Sequence, residues 1–221
     1  MAGSLRISKR MSNPVYDLDR AVASASQSST LQQNQALHAV GAAFNWWGGP
    51  GVIYFAALLW LGGRALKRAR VSLLGLRGVE AIALASALGS IVKGFAGRAR
   101  PFVTPDEPWH WNFMHGWTDA RYFSMPSGHT YATIAFAAAI SVASARWAPP
   151  ARAAMIIGAF LTVLLVAFAR VYTNQHWFSD VLAGAVLGGA TGFLLARWHE
   201  RHPRTAFDRA LLGATGEQGA A

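Results

Sequence analysis

Several apolar stretches, each close to the length needed to cross a lipid bilayer, restrict how this chain can fold. A helix needs about 20 predominantly apolar residues to span the hydrocarbon core. Five stretches approach this length, at residues 50–66, 74–95, 129–147, 153–170 and 177–198. Because the backbone inside a bilayer must satisfy its own hydrogen bonds, each stretch is expected to be helical. The sequence therefore predicts an all-α, polytopic transmembrane bundle of about five spans, or six at most.

Composition agrees with a membrane location. Hydrophobic residues make up 53% of the chain and charged residues 14%, and the mean hydropathy of +0.25 exceeds that of most soluble domains. The net charge of +10 would favour nucleic acid in a soluble protein, but here the basic residues stand at the ends of apolar stretches. We therefore predict the bilayer as a partner and no nucleic acid. Cysteine is absent from the sequence, which excludes disulfides and thiolate metal sites.

The apolar stretches define one transmembrane domain, at residues 36–198, between a polar N-terminal tail and a polar C-terminal tail at residues 199–221. The N-terminal tail covers residues 1–35, of which 15–25 could form an amphipathic helix at the membrane interface. Its basic residues Arg6, Lys9 and Arg10 precede no long apolar core, so no cleavable signal peptide is predicted.

Lys and Arg residues are distributed unevenly between the two ends of the predicted spans. One end has ten of them: Arg64, Lys67, Arg68, Arg70, Arg77, Arg146, Arg152, Arg197, Arg201 and Arg204. The other end has five: Lys93, Arg98, Arg100, Arg121 and Arg170. The richer end is expected in the cytoplasm, because cytoplasmic loops carry the excess of basic residues. The N-terminal tail, basic at its start, would then lie outside, against this rule.

The second span ends in a pair of cations, Lys93 and Arg100, the latter followed by Pro101. Seven residues make about two helical turns, so the two cations could share one helical face. Pro101 favours an extended backbone at Arg100 and so an end to the helix. Two cations so placed are suited to binding an anion, or they could be membrane anchors whose charged ends reach the interface.

The third span opens with Pro126, Ser127, Gly128 and His129. The start of a helix presents unpaired N–H groups and the positive end of the helix dipole, and Gly128 allows an anion close to the backbone. This pattern predicts an oxyanion site with a titratable group beside it. The alternative is that Ser127 only caps the helix.

The fourth and fifth spans meet at a short connection containing Arg170, His176 and Asp180. A tight hairpin would bring Arg170 to His176, and the four-residue spacing would place Asp180 on the same helical face as His176. A carboxylate there can accept a hydrogen bond from one imidazole nitrogen and orient the other. An interfacial ion pair explains any one of these residues but not all three, since ionisable groups at membrane depth are costly.

The three clusters fall at one end of the spans, the predicted extracytoplasmic end, and together they resemble the signatures of the type 2 phosphatidic acid phosphatase superfamily. Those signatures are K-x6-RP, PSGH and SR-x5-H-x3-D, and all their spacings recur here. One position departs from the pattern, because Ala169 stands where the third signature has serine. We expect this change to remove a supporting hydrogen bond and to leave activity in place.

The resemblance implies a membrane lipid phosphatase that works through a phosphohistidine intermediate and needs no metal or other cofactor. His176 would attack phosphorus, with Asp180 orienting it, and His129 would protonate the leaving oxygen and then activate water. The remaining motif residues would bind the phosphoryl oxygens: Lys93, Arg100, Ser127, Gly128 and Arg170. The expected location is a bacterial inner membrane, with the site on its extracytoplasmic face.

The sequence is also compatible with two other functions and with several lipid substrates. Vanadate-dependent haloperoxidases share the same motifs but are soluble and longer, and a non-catalytic phospholipid-binding or transport protein could use the basic site to hold phosphate. Phosphatidate, phosphatidylglycerophosphate, a polyprenyl pyrophosphate and a lipid A phosphate are all candidate substrates. His110 and His115 are not predicted to bind metal, because no ligand cluster of suitable spacing accompanies them.

Overall fold

The protein is a helical bundle in the computed structural model, which describes residues 13–145, 147–202 and 206–212. Within these residues there are α-helices and no β-strand, which confirms the predicted all-α class. The helices are α1 (Pro14–Ser26), α2 (Ser29–Gln32), α3 (Gln35–Trp46), α4 (Val52–Ala65), α5 (Ala69–Ala96), α6 (Gly128–Ala143), α7 (Pro149–Tyr172), α8 (Phe178–Arg201) and α9 (Ala206–Leu212). Five basic residues used to predict topology lie outside the described residues: Arg6, Lys9, Arg10, Arg146 and Arg204.

The five predicted spans correspond to α4 through α8. By length and apolar composition, three helices of the described chain could cross a membrane, namely α5, α7 and α8, and α6 is a shorter apolar helix. α4 continues from α3 through a five-residue π-helical turn, Trp47–Gly51, which is kinked at Gly49. The helical path of the first span therefore begins well before residue 50, where the apolar pattern placed its start.

α6 ends at Ala143, four residues before the predicted end of the third span. The chain leaves the helix in a turn in which the N–H groups of Ala145 and Trp147 donate to the carbonyls of Val142 and Ser144. The hydroxyl of Ser144 also donates to the backbone, at the carbonyl of Ser141. Local hydrogen bonds of this kind compete with helix continuation, which the apolar pattern does not reveal.

The centre of the bundle is formed by α5, α6 and α8, with α4 packed on α5 and α3 packed on α7. α8 approaches α6 closely along a stripe of small residues. A Cβ atom added to Gly188 would lie 2.2 Å from the carbonyl oxygen of Tyr131, and one added to Gly192 would lie 2.4 Å from that of Ala135. The last span is rich in Gly and Ala, and such small residues allow two helices to approach this closely.

The long polar segment between α5 and α6 folds back over one end of the bundle. α5 is followed by its C-cap residue Gly97, which has a left-handed backbone (φ +56°) and whose N–H donates to the carbonyl of Lys93. The N–H of Asn112 donates to the carbonyl of Gly97, and the N–H of Ala99 donates to that of His110. This reversal keeps residues 98–101 against the bundle.

An ion-pair cluster holds the opposite end together. Arg77 contacts Glu80, three residues later in α5, at 2.8 Å. The same guanidinium lies 3.1 Å from Asp208 of α9. α9 therefore packs against the end of the bundle farthest from the three sequence motifs.

Candidate active site

Lys93 lies in the last turn of α5 with its side chain almost fully buried. Its ammonium donates to the carbonyl oxygens of Phe123 at 2.9 Å and Ser124 at 3.3 Å. A Cβ added to Gly128 would lie 3.7 Å from Cε of Lys93, so the first and second motifs are in contact.

Arg100 reaches the site from the loop. Because α5 ends at Ala96, the prediction that Lys93 and Arg100 share a helical face is wrong. Nε of Arg100 donates to the carbonyl of Ala120 at 3.0 Å, and one terminal nitrogen donates to Oε1 of Gln175 at 2.8 Å. Burial lowers the pKa of Arg100 from its ordinary value, and the negative charge of Asp180 opposes this.

Ser127 occupies the N-cap position of α6, yet its side chain makes no capping hydrogen bond. Its hydroxyl accepts a bond from Thr130 Oγ1 at 3.0 Å, while its backbone N–H donates to the carbonyl of Asp180 at 2.8 Å. The second and third motifs are thereby joined. Gly128 and His129 follow as the first residues of the helix, where backbone N–H groups are available to an anion.

Arg170 lies in the last turn of α7, and the hairpin that follows brings it to His176, as predicted. The N–H of His176 donates to the carbonyl of Arg170 at 3.2 Å. The guanidinium donates to Oδ1 of Asn45 in α3, whereas its buried Nε has no hydrogen-bond partner among the described residues. A buried guanidinium N–H without a protein acceptor can bind an anionic ligand.

His176 lies outside α8, next to the N-cap residue Trp177, and is 2% exposed. Nδ1 of His176 lies 3.5 Å from Oδ2 of Asp180, and this buried nitrogen makes no hydrogen bond within the described chain. Burial, followed by the charges of Lys93, Arg170 and Arg100, holds the pKa of His176 well below its ordinary value. The imidazole is therefore neutral near pH 7, which leaves a nitrogen lone pair available for attack.

Asp180, the third residue of α8, has strong partners besides His176. Oδ1 accepts from Arg98 at 2.6 Å. Oδ2 accepts from the hydroxyl of Ser124 at 2.5 Å and from the N–H of Trp177 at 2.9 Å. Sequence reasoning missed both side-chain partners, because Arg98 was treated only as a basic residue at a span end and Ser124 belongs to no motif.

Two further polar residues contact the predicted cations from outside the motifs. Asn45 binds Arg170, and Gln175 binds Arg100. The one available signal was their position, with Asn45 between the aromatic residues Phe44 and Trp46 and Gln175 next to His176. No group of three or more His, Asp or Glu side chains in the described ranges has an arrangement that could hold a metal ion.

The site thus combines a neutral imidazole with three cations and the start of a helix, all at one end of the bundle. The PAP2 superfamily model matches residues 75–204, which is more than half of the chain. The chain belongs to the PAP2 superfamily. All eight predicted site residues lie in the PAP2 region, whereas Asn45 lies before it.

Comparison with curated proteins gives a relative from Sulfolobus acidocaldarius named undecaprenyl-diphosphatase. The two sequences are 29% identical over 147 residues, covering 64% of this chain and 63% of that protein. The chain therefore spans less than two thirds of the length of this relative.

Two solved structures share the PAP2 fold with this chain. One is a transmembrane PAP2-type phosphatidylglycerolphosphate phosphatase from Bacillus subtilis, with a TM-score of 0.67, 23% identity, and coverage of 88% of this chain and 90% of that one. The other is LpxE from Aquifex aeolicus, with a TM-score of 0.56, 21% identity, and coverage of 85% and 97% respectively. At these identities the comparison establishes the fold, which is that of a multi-pass membrane protein.

Proposed function

We propose that this PAP2 protein is a metal-independent lipid phosphatase that forms a phosphohistidine at His176. One observation carries the proposal: a buried, neutral His176 lies where Lys93, Arg100 and Arg170 converge. A cationic pocket alone would suit a phosphate-binding protein. A neutral imidazole within that pocket is in addition suited to attack phosphorus.

The first step transfers the phosphoryl group to the protein. The lone pair of His176 Nε2, the nitrogen opposite the one facing Asp180, forms a bond to phosphorus, and the bond from phosphorus to the lipid oxygen breaks. The leaving oxygen takes the bonding electrons and a proton from His129, whose protonated form the negative charge of the bound phosphate stabilises. The three cations and the N–H groups at the start of α6 stabilise the charge on the phosphoryl oxygens.

The second step regenerates the protein. His129, now without its proton, accepts one from water as the water oxygen bonds to phosphorus. The bond from phosphorus to His176 breaks and its electrons return to the imidazole. Inorganic phosphate leaves, and both histidines are restored.

The proposed substrate class is a lipid with a terminal phosphate or diphosphate. The Sulfolobus protein is named for undecaprenyl diphosphate and the Bacillus protein for phosphatidylglycerolphosphate, and this class includes both lipids. The apolar, membrane-length helices and the transmembrane Bacillus structure favour a lipid phosphatase over the soluble haloperoxidase alternative. The excess of basic residues at the opposite end supports an extracytoplasmic site. The proposed location is a bacterial inner membrane.

The test separates the roles of the two histidines. His176→Ala should abolish turnover of every substrate, because each requires the nucleophile. His129→Ala should abolish turnover of a lipid phosphate, whose alkoxide is a poor leaving group, but allow release of an aryl alcohol from an activated aryl phosphate. Rapid-quench kinetics in the presence of EDTA should then show a burst of aryl alcohol and acid-labile phosphate on His129→Ala.

Two results would contradict the proposal. A burst from His176→Ala would place the nucleophile elsewhere. Wild-type activity that is lost in EDTA and restored by magnesium would rule out the metal-independent mechanism. His115→Ala, a change at an exposed histidine of the loop, is the matched control and should keep wild-type rates.

A further inference from the structure

Arg98, a cation near the candidate site, has its side chain held by hydrogen bonds to four protein oxygens. Its side chain is 1% exposed. One terminal nitrogen donates to Oδ1 of Asp180 at 2.6 Å and to Oγ of Ser179 at 2.7 Å. The other terminal nitrogen donates to Oδ2 of Asp19 at 2.7 Å, and Nε donates to the carbonyl of Pro108 at 2.9 Å. Arg98 therefore connects the catalytic hairpin to the loop and to the N-terminal helix.

Asp19 extends this connection into α1. It is fully buried, and its Oδ1 accepts from the backbone N–H of Ser179 at 2.7 Å. Its Oδ2 accepts from the hydroxyl of the same serine at 2.6 Å. Ser179 is the second residue of α8, so a carboxylate from another helix satisfies one of the first N–H groups of α8. Asp19 lies outside the residues matched by the PAP2 family.

We infer that Arg98, held by Asp19, is a positioning residue that fixes the carboxylate of Asp180 behind His176. The inference rests on the proposed role of His176 as nucleophile. The bond from Arg98 to Oδ1 and those from Ser124 and Trp177 to Oδ2 hold the carboxylate on both oxygens. Its Oδ2 is thereby kept 3.5 Å from Nδ1 of His176, close enough to bond that nitrogen when substrate binds.

The charges of the buried carboxylates around Arg98 also support its positioning role. Asp19 and Asp180 are both fully buried, and Arg98 is the cation that pairs with each of them. A buried carboxylate that loses its counter-ion is strongly unfavourable. Without Arg98, therefore, Asp180 would lose both its fixed orientation and the charge that balances its burial.

A direct role for Arg98 in binding phosphate is less compatible with its contacts. Its N–H groups already make four hydrogen bonds to protein oxygens. Its planar faces are covered as well, because the rings of Trp111 and Trp177 lie 5.2 Å and 5.8 Å from its central carbon. Arg170, by contrast, has a buried N–H without a protein partner. Arg98 therefore acts through Asp180.

The test is a double-mutant cycle on the full-length protein in detergent, with an activated aryl phosphate as substrate. Arg98→Met should lower kcat by about 10- to 100-fold and change KM by less than about threefold. In an Asp180→Asn background, Arg98→Met should lower kcat by less than about threefold relative to Asp180→Asn alone. The partner through which Arg98 acts has already been changed in that background. Arg98→Lys, which restores the charge, should recover part of kcat.

Two exposed residues near the site provide matched controls. Arg121→Met removes an arginine whose side chain is 67% exposed and pairs with Asp119 in the same loop. Asp106→Asn removes a carboxylate that is 86% exposed. Both should keep kcat within about twofold of wild type, since neither holds a catalytic group.

Asp19→Asn is the second variant, which keeps the inference testable if Arg98→Met does not fold. It preserves side-chain shape and the bond between Arg98 and Asp180 but weakens the support from α1. We expect kcat to fall about three- to tenfold with KM unchanged. An unchanged kcat in Asp19→Asn would overturn the role assigned to α1.

Other outcomes separate this inference from the proposed function. If His176→Ala is inactive and folded Arg98→Met has wild-type kcat, the inference fails while the proposed function stands. If the losses of kcat in Arg98→Met and Asp180→Asn multiply in the double mutant, Arg98 acts independently of Asp180 and the positioning role is overturned. A KM raised more than about tenfold in Arg98→Met would likewise make Arg98 a phosphate ligand. If His176→Ala keeps turnover, the proposed function fails and the inference fails with it.

Discussion

At the scale of one residue, the fold keeps the imidazole of His176 in its neutral form. Free imidazole is partly protonated near neutral pH, and its protonated form has no lone pair for attack. Burial and three neighbouring cations disfavour that form in His176. In the proposed mechanism the same cations attract the phosphoryl oxygens, so one arrangement would both bind the anion and keep the nucleophile neutral.

The lowered pKa of His176 makes stability depend on pH in a predictable direction. Below the ordinary value of 6.5 the unfolded chain takes up a proton at this position that the folded protein does not, so stability falls as pH falls. The loss is at most about 1.4 kcal/mol for each pH unit below that value. Thermal midpoints in phosphate-free detergent should therefore fall more steeply from pH 7.5 to 5.5 for wild type than for His176→Asn.

An exposed histidine provides the comparison for this experiment. His115→Asn changes a residue of the loop that is open to solvent, and its midpoints should follow those of wild type across the same pH range. Equal slopes for wild type and His176→Asn would contradict the lowered pKa.

At the scale of the element, the end of α5 decides where the first motif lies. Gly97 reverses the chain so that Arg98 and Arg100 leave the helix and enter the loop. A side chain there would be strained by the left-handed backbone, and its Cβ would lie 1.8 Å from the carbonyl oxygen of Asn112. This glycine thus places both arginines.

Gly97→Ala should consequently destabilise the protein and reduce its activity. The left-handed backbone alone costs about 1 to 3 kcal/mol for a residue other than glycine, and the clash with Asn112 adds to it. We expect a lower thermal midpoint and a kcat reduced by about tenfold or more, since Arg98 and Arg100 would move. Midpoints and phosphate release measured on the same preparation would check this.

Gly158→Ala is the matched control for that substitution. Gly158 lies within α7, and a Cβ added there meets no atom within 4 Å. Alanine should stabilise the helix by about 0.5 to 1 kcal/mol and leave kcat unchanged. A similar loss of activity in both variants would mean that the turn at Gly97 has no special role.

At the scale of the whole molecule, the two ends of the bundle differ in chemistry. One end carries the motif residues beneath the folded loop, and the other is held by Arg77 with Glu80 and Asp208. Basic residues at span ends favour the cytoplasm for the second of these ends. The first end, with the candidate site, would then face outwards.

Cysteine labelling tests this orientation. The chain has no cysteine, so a single introduced thiol gives an unambiguous signal. Thr118→Cys, at an exposed position in the loop over the site, should react with an impermeant thiol reagent in intact cells. Leu66→Cys, which is 70% exposed at the opposite end, should react only after permeabilisation. The reverse pattern would invert the topology.

The sequence by itself predicted the five apolar spans and identified the eight motif residues, because apolar stretches and short spacings are local properties of the chain. Only the tertiary structure placed Arg98 between Asp19 and Asp180, which are 79 and 82 residues away from it in sequence. Local periodicity carries no information about such pairs. They are decided by helix packing and by the need of each buried charge for a partner.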